Sequence, residues 1–433
     1  MSDTKNETLT QGNEPAPQES AIPTVDPRLL VREEGFKGYL TEFQRKVRGG
    51  ELGSLPVIGG LIIIWIVFGL QNSKFIQPAN IGEISFFLAA TGMAALGLIF
   101  VLILGEIDLS VLSVSGLSAA VFGWLAVIHG INAWLAVLLS VGSGVLIGAL
   151  QGWFFAKVGV PAFVVTLAGN LGWFGVMLWL LGSGSVGGSI TLNDSGFMHD
   201  LGQNSYFMGG DIAGGYILAG LAVVAMLASS LLDQKRRRAA GVPFRPTVEI
   251  GMRVGVLAVV AFAAAYELNQ ASGVPTALVL FLAALVICDF VLRRTSYGRK
   301  IFAVGGSIEA ARRAGISVPA IRISVFAISG GFGALSGLFY AGWSFSAQES
   351  AGQGAWLMLA IAAAVIGGTS LFGGRGKAWS ALLGMLVIQS ITTGLQLLGL
   401  QSDVEYMITA VVLLAAVVID SLSRRTQKAS GRG

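Results

Sequence analysis

Apolar runs about as long as a bilayer is thick recur along nearly the whole chain, and this constrains its fold more than any other feature. A membrane helix needs ~20 largely apolar residues. By that measure about twelve spans can be drawn, at roughly 55–71, 83–104, 109–128, 132–155, 162–182, 212–232, 248–268, 272–293, 321–343, 355–372, 378–398 and 404–422. The pattern predicts an all-α integral membrane protein, a bundle of about 12 (10–12) transmembrane helices, over residues 51–423. Composition agrees: 54% of residues are hydrophobic and only 12% charged, against roughly 25% charged in soluble domains. The 60 glycines suit close helix packing in a membrane.

Residues 1–25 are polar and read as a disordered cytoplasmic tail, with no signal-peptide pattern. Residues 26–50 read as an amphipathic helix, either interfacial or solvated, because Phe36, Tyr39, Leu40, Phe43 and Val47 recur at helical spacing beside Arg45, Lys46 and Arg48. Residues 424–433 form a second cytoplasmic tail. With both termini inside, basic residues collect in alternate loops, as cytoplasmic loops do. They fall at Lys157, Lys235–Arg245, Arg293–Arg322, and Arg375 with Lys377, and of the 28 basic residues only Lys74 sits clearly in an outward loop. The longest outward loop carries Asp194, Asp200 and Asp211.

Several chemistries find no support. Gly376–Lys377 lacks the upstream glycine, with Leu371 in its place, and the following Ser or Thr of a phosphate loop, so any ATP must be hydrolysed elsewhere. Gly182, Gly184 and Gly187 match a dinucleotide fingerprint by letter but follow a membrane helix instead of a strand. His129, His199 and the lone Cys288 make no metal set. The basic residues form no patch with interleaved aromatics, which argues against nucleic acid.

Gly144, Gly148 and Gly152, and likewise Ser329, Gly333 and Gly337, make small-residue stripes that predict tight helix packing. Two spans carry uncharged polar faces, one of Thr166, Asn170 and Trp173 and the other of Gln389, Thr392, Thr393 and Gln396. Such groups can line a path for a polyhydroxylated substrate, and interhelical hydrogen bonding accounts for them equally well. Asp108 stands where the third span begins and is expected to cap that helix. Asp289 and Arg293, at i and i+4, read as a local ion pair. The insert 294–320 should hold a short helix over Ile308–Ala314 that stops at Gly315, with Gly305 and Gly306 turning the chain into it.

Four segments carry a family resemblance: GEIDLSVLSVSG at 105–116, VGVPAFVVTLAG at 158–169, SYGRKIFAVGGSIEAARRAGI at 296–316 and IGGTSLFGGRG at 366–376. Together they resemble the permeases of bacterial monosaccharide ABC importers, most of all the xylose-type branch, over nearly all of 50–425. The resemblance implies a permease homodimer in the cytoplasmic membrane, a separate cytoplasmic ATPase and a periplasmic or lipid-anchored sugar-binding protein. It also implies an ATPase-coupling segment at Gly298, Arg299, Gly305, Gly306, Glu309, Ala310, Ala311 and Gly315, to which Arg312 and Arg313 add charge for docking. Leu112 and Ser307 depart from the Gly and Asn often found in that family. No cofactor is expected in this chain. The rival reading is a proton-coupled secondary transporter, because the KRRR run at 235–238 divides twelve spans into two halves. That reading lacks a membrane-embedded carboxylate and a basic loop between the second and third spans. An embedded enzyme lacks any nucleophile and base pair.

Overall fold

The computed structural model describes residues 55–182, 188–192, 212–242, 244–271, 273–349 and 356–400, together with scattered positions between 403 and 418. The expected tails at 1–25 and 424–433, the helix at 26–50 and the acidic residues Asp194, Asp200 and Asp211 lie outside the described residues. The described positions from Asp403 to Val418 are helical, and all but Asp403 fall within the expected twelfth span.

The elements run α1 (Leu55–Gln71), α2 (Pro78–Ile103), α3 (Val111–Gly123), α4 (Ala133–Trp153), α5 (Ala162–Gly182), β1 (Ser189–Thr191), α6 (Ile212–Ala239), α7 (Thr247–Ala271) and α8 (Thr276–Arg294). They continue with α9 (Ser296–Gly306), α10 (Ile308–Arg313), α11 (Val318–Ser344), β2 (Ser346–Gln348), α12 (Trp356–Ile366) and α13 (Trp379–Leu397). α3 and α4 each end in a π-helical turn, at Trp124–Ile128 and Phe154–Val158. Among the described residues, nine helices are long and apolar enough to cross a membrane.

Local chemistry sets the ends. Pro78 and Pro319 occupy first turns, where a missing N–H costs nothing. The Asn132 side chain accepts hydrogen bonds from Trp134 N and Leu135 N at 3.0 and 3.4 Å and starts α4.

α2 lies at the centre, 94% of its most apolar window buried, whereas the α6–α7 hairpin lies at the rim with 11% of the α6 window buried. α11 packs against α2, α3 and α4, and α2 is further enclosed by α8, α12 and α13. The glycine stripes make this possible. A Cβ on Gly148 would stand 2.1 Å from Phe326 O, and one on Gly337 would stand 2.0 Å from Ser115 O, so backbones touch where side chains would intervene. The Gly144–Gly152 stripe therefore faces α11, and Gly333 and Gly337 face α3. Apolar side chains on the outer faces, such as Leu146, Leu171, Val259 and Ile287, are exposed, as lipid-facing residues are.

β1 and β2 pair antiparallel, Ile190 opposite Ala347, and tie two loops together at one end of the bundle. This ribbon departs from a purely helical expectation. The loops after α2, around α9–α10 and after α12 meet one another through Gly105, Gly305 and Gly373.

Four details differ from the sequence reading. The expected span at 355–372 is an eleven-residue helix ending at Ile366, after which Gly368, Gly373 and Gly374 adopt left-handed backbone and carry a loop to α13. The insert at 294–320 holds two helices, α9 as well as α10. Gly305 and Gly306 are the last residues of α9, and the turn into α10 is made by Ser307, extended at φ −160°, whose hydroxyl accepts from Ala310 N at 3.3 Å. Asp108 does not cap the free first-turn amides of α3, for the reason given below.

Candidate functional site

The chain between α2 and α3 does not stay at the end of the bundle. Glu106 lies near Arg322, one turn into α11, but Asp108 reaches Ser329, eleven residues beyond Val318, or about 16 Å along the helix. Residues 104–110 thus re-enter the bundle, and α3 starts inside it, with Gly333 packed over the Val111 carbonyl.

Asp108 is 1% exposed, so the bundle does hold an embedded carboxylate, contrary to the expectation from the sequence. One carboxylate oxygen accepts from Ser110 N at 3.0 Å and from Ser110 Oγ at 2.6 Å, and the other accepts from Ser329 Oγ at 2.8 Å. The carboxylate therefore ties its own loop to α11 and leaves Ser110 in the N-cap position of α3 without a capping hydrogen bond. Ser110 Oγ also lies 2.8 Å from the Gln151 side-chain amide. Its one proton goes to the carboxylate, so Gln151 presents N–H to that hydroxyl. α5 closes the group: Thr166 Oγ1 donates towards Ile107 O at 3.4 Å, and Ser113 hydrogen-bonds Asn170. The second motif, VGVPAFVVTLAG, is thus built against the first.

The third and fourth motifs join it through backbone. A Cβ on Gly305 would stand 1.8 Å from Ile103 O, the same carbonyl that accepts from Gly374 N at 2.8 Å. Gly373, at φ +79°, packs on Gly305 O and on Gly105 N. Three loops meet there with no side chain between them. Gly298 serves similarly at the α8–α9 turn, where a Cβ would strike Leu292 O at 2.2 Å and where Thr295 Oγ1 accepts from Gly298 N.

Beside this junction lies an open cleft of ≈ 530 Å³, lined by Val304, Gly305, Ser307, Glu309, Arg312 and Arg322 among others. Glu309 and Arg312 pair at 3.2 Å and are exposed; Arg299, Arg313 and Gly315 are exposed too, with Gly315 left-handed at φ +75° as the stop after α10. Arg322 stacks 4.2 Å from the Phe155 ring centre and lies 3.9 Å from Glu106. Burial pushes the Glu106 carboxyl above its ordinary value, and Arg322 opposes that shift.

The two polar faces fall in different places. Thr166 is fully buried, while Asn170 and Trp173 are half-buried along the contact of α5 with α3 and α4. On α13, Gln389 Nε2 donates to Thr393 Oγ1 at 3.1 Å within the helix, Thr392 is half-buried and Gln396 is exposed. α13 packs on α1, α2 and α12, so the structure brings the α5 face to the Asp108 junction and places the α13 face against other helices. Asp289 pairs with Arg293 at 2.9 Å, as their spacing predicts.

Sequence reasoning passed over Ser110, Gln151 and Ser329 as polar members of the site. One signal was present: a carboxylate between two apolar spans needs donors, and hydroxyls at 110 and 329 stand in small-residue segments that permit close approach.

Residues 80–417 match the family described as "Branched-chain amino acid transport system / permease component". The chain is 34% identical over 370 residues to the xylose transport system permease protein XylH of Escherichia coli (strain K12), which covers 85% of this chain and 92% of that one. It is 31% identical over 385 residues to XylH of Haemophilus influenzae, covering 88% and 99%, and 28% identical over 380 residues to the ribose import permease protein RbsC of Bacillus subtilis, covering 88% and 96%. No solved structure matches the chain. The matched region takes in the re-entrant loop, the α9–α10 pair and the glycine junction, and with nine long apolar helices among the described residues the chain is a multi-pass membrane protein that belongs to this family of transport-system permeases.

Proposed function

We propose that the chain forms the membrane path of an ATP-driven importer for a monosaccharide, a pentose such as xylose. The observation that carries this reading is the link from surface to core: the cleft lined by α9 and α10 is fastened through Gly305 to the Ile103 carbonyl at the end of the most buried helix. A permease without a nucleotide site must receive work through such a contact, because only differential contacts in two states let one site bias another. Similarity to the xylose and ribose permeases supplies the substrate class.

In this reading a cytoplasmic ATPase that uses ATP and Mg²⁺ docks at Gly298, Arg299, Gly305, Gly306, Glu309, Arg312, Arg313 and Gly315. A second copy completes the permease, and a sugar-binding protein meets the ribbon end. Both termini lie on the cytoplasmic side. Thr166, Asn170, Trp173, Gln389, Thr392, Thr393 and Gln396 are assigned to the path on their chemistry. With the two polar faces on different sides of one protomer, a shared path would draw on both copies.

The test is co-reconstitution of the permease with a sugar-importer ATPase and a sugar-binding protein from the same organism, followed by uptake of D-xylose and D-ribose. ATP-dependent uptake is expected. Uptake driven by a proton gradient without ATP would establish the secondary-transporter reading instead.

A further inference from the structure

Well beyond the Asp108 junction, between α2, α3, α11 and α12, lies a cavity of ≈ 20 Å³. Thr91, Ser115, Ser336, Tyr340 and Trp356 are among the residues that line it. Its level follows from α11: Ser336 lies eighteen residues past Val318, about 27 Å along the helix, in the half nearer the ribbon.

Thr91 is 3% exposed, and its Oγ1 has no hydrogen-bond partner among the described residues. A helical threonine can return its hydroxyl to the preceding turn, and a buried hydroxyl left unpaired is costly. A space of this volume takes one water or one hydroxyl group, and it is far too small for a whole sugar. Around its mouth the surroundings change. Tyr340 and Trp356 meet edge-on at 5.1 Å, Phe87 and Trp343 meet at 4.6 Å, and Phe87 and Trp356 lie 5.9 Å apart. All four rings are half-buried, and Tyr340 and Trp356 line the space itself.

Apolar walls with a few convergent polar groups are what a small-molecule site requires. A pyranose has the matching surface, with a C–H face that packs on aromatic rings and hydroxyls at its edge. Resting on the proposed function, we infer that this cavity is a sugar subsite on the path, in which Thr91 hydrogen-bonds one hydroxyl of the substrate while Trp356 and Tyr340 pack against its C–H face. Neither polar face on α5 and α13 includes these residues. The subsite implies that the permease itself contributes selectivity in addition to its binding protein.

The test compares D-xylose uptake with uptake of monodeoxy-D-xyloses by the reconstituted complex, using one preparation of binding protein and ATPase throughout, so that any change in selectivity arises in the permease. Thr91→Val keeps the shape and deletes the hydroxyl; Thr91→Ser restores it. Thr91→Val should raise the KM for D-xylose up to about tenfold, the ratio carried by a neutral hydrogen bond, and should leave unchanged the uptake of the one deoxy sugar that lacks the bonded hydroxyl. Thr91→Ser should recover wild-type selectivity. Trp356→Phe should raise KM for all the sugars alike. Monodispersity of each variant in detergent confirms folding.

If wild type takes up D-xylose and Thr91→Val preserves both KM and selectivity, the cavity holds only structural water and the inference is overturned while the proposed function stands. If wild type takes up neither D-xylose nor D-ribose with ATP, the proposed function fails and the subsite falls with it.

Discussion

Ser329 Oγ donates to Asp108 Oδ2 at 2.8 Å across 221 positions of sequence, fastening the re-entrant loop to the middle of α11. A buried carboxylate with three donors and, among the described residues, no ion-pair partner is held by geometry, so replacements separate by shape and polarity. Asp108→Asn keeps an oxygen for Ser110 and offers N–H to the Ser329 hydroxyl, which can accept. Asp108→Leu strands Ser110 and Ser329 and should cost on the order of 3 kcal/mol, with the Asn variant losing a small part of that. Thermal unfolding in detergent measures both; equal losses would show that the charge itself matters.

The glycines at the end of α9 predict opposite outcomes for neighbouring positions. Gly305→Ala drives a methyl into the Ile103 carbonyl, backbone that cannot swing away, whereas a Cβ on Gly306 meets nothing within 4 Å. The first should destabilise by about 1–3 kcal/mol and disrupt coupling of ATP hydrolysis to uptake. Gly306→Ala, whose added methyl meets no atom of this chain within 4 Å, should leave the stability near wild type. Melting temperature reads that difference, and sugar-stimulated ATPase activity in vesicles reads the coupling.

Helix packing offers a similar control pair. Gly148→Ala sets a Cβ 2.1 Å from Phe326 O, but Gly142 faces open space. The 148 variant should lose stability by about 1–3 kcal/mol, and the 142 variant should lose none. Equal melting temperatures would mean that α4 and α11 are not in contact at this stripe.

Glu106 gives a pH signature. Its carboxyl is raised chiefly by burial, so the folded state holds the proton more tightly than the unfolded chain does. Protonation of Glu106 then favours folding as pH falls through the range just above 4.5, and that gain is lost as pH rises through the folded value. The melting temperature of wild type, relative to Glu106→Gln, should rise as pH is lowered from 7 towards 5. An unchanged difference would mean that Glu106 titrates as a solvated group.

Orientation can be read by thiol labelling, because Cys288 is buried and gives little background. Arg312→Cys should be protected from impermeant reagent in intact cells, and Gln348→Cys, on the ribbon, should react. The reverse pattern would invert the protein in the membrane.

Much of this architecture was legible because membrane helices announce themselves by length and apolarity, and because Gly144–Gly148–Gly152 and Asp289–Arg293 are contacts with a fixed helical period. The four motifs were legible as segments but not as one object. Their meeting depends on backbone atoms, the Ile103 carbonyl against Gly305 and Gly374, which no side-chain pattern encodes. The same holds for the ribbon, since Ser189–Thr191 and Ser346–Gln348 are three-residue strands too short to show alternation. The re-entry of residues 104–110 escaped for another reason: an apolar stretch from 109 reads as a span wherever in the bundle it begins. Thr91 was invisible as well, being one hydroxyl in an otherwise apolar helix.

The place of α11 among α2, α3 and α4 has a consequence in time. Those three helices leave the ribosome first, and Asp108 precedes Ser329 by 221 residues, about 10–40 s of synthesis at ordinary rates. During that interval the carboxylate lacks its long-range donor, and the Gly148 backbone has no Phe326 to close against. Those contacts of α2, α3 and α4 with α11 therefore form only after Ser329 and Phe326 have been made.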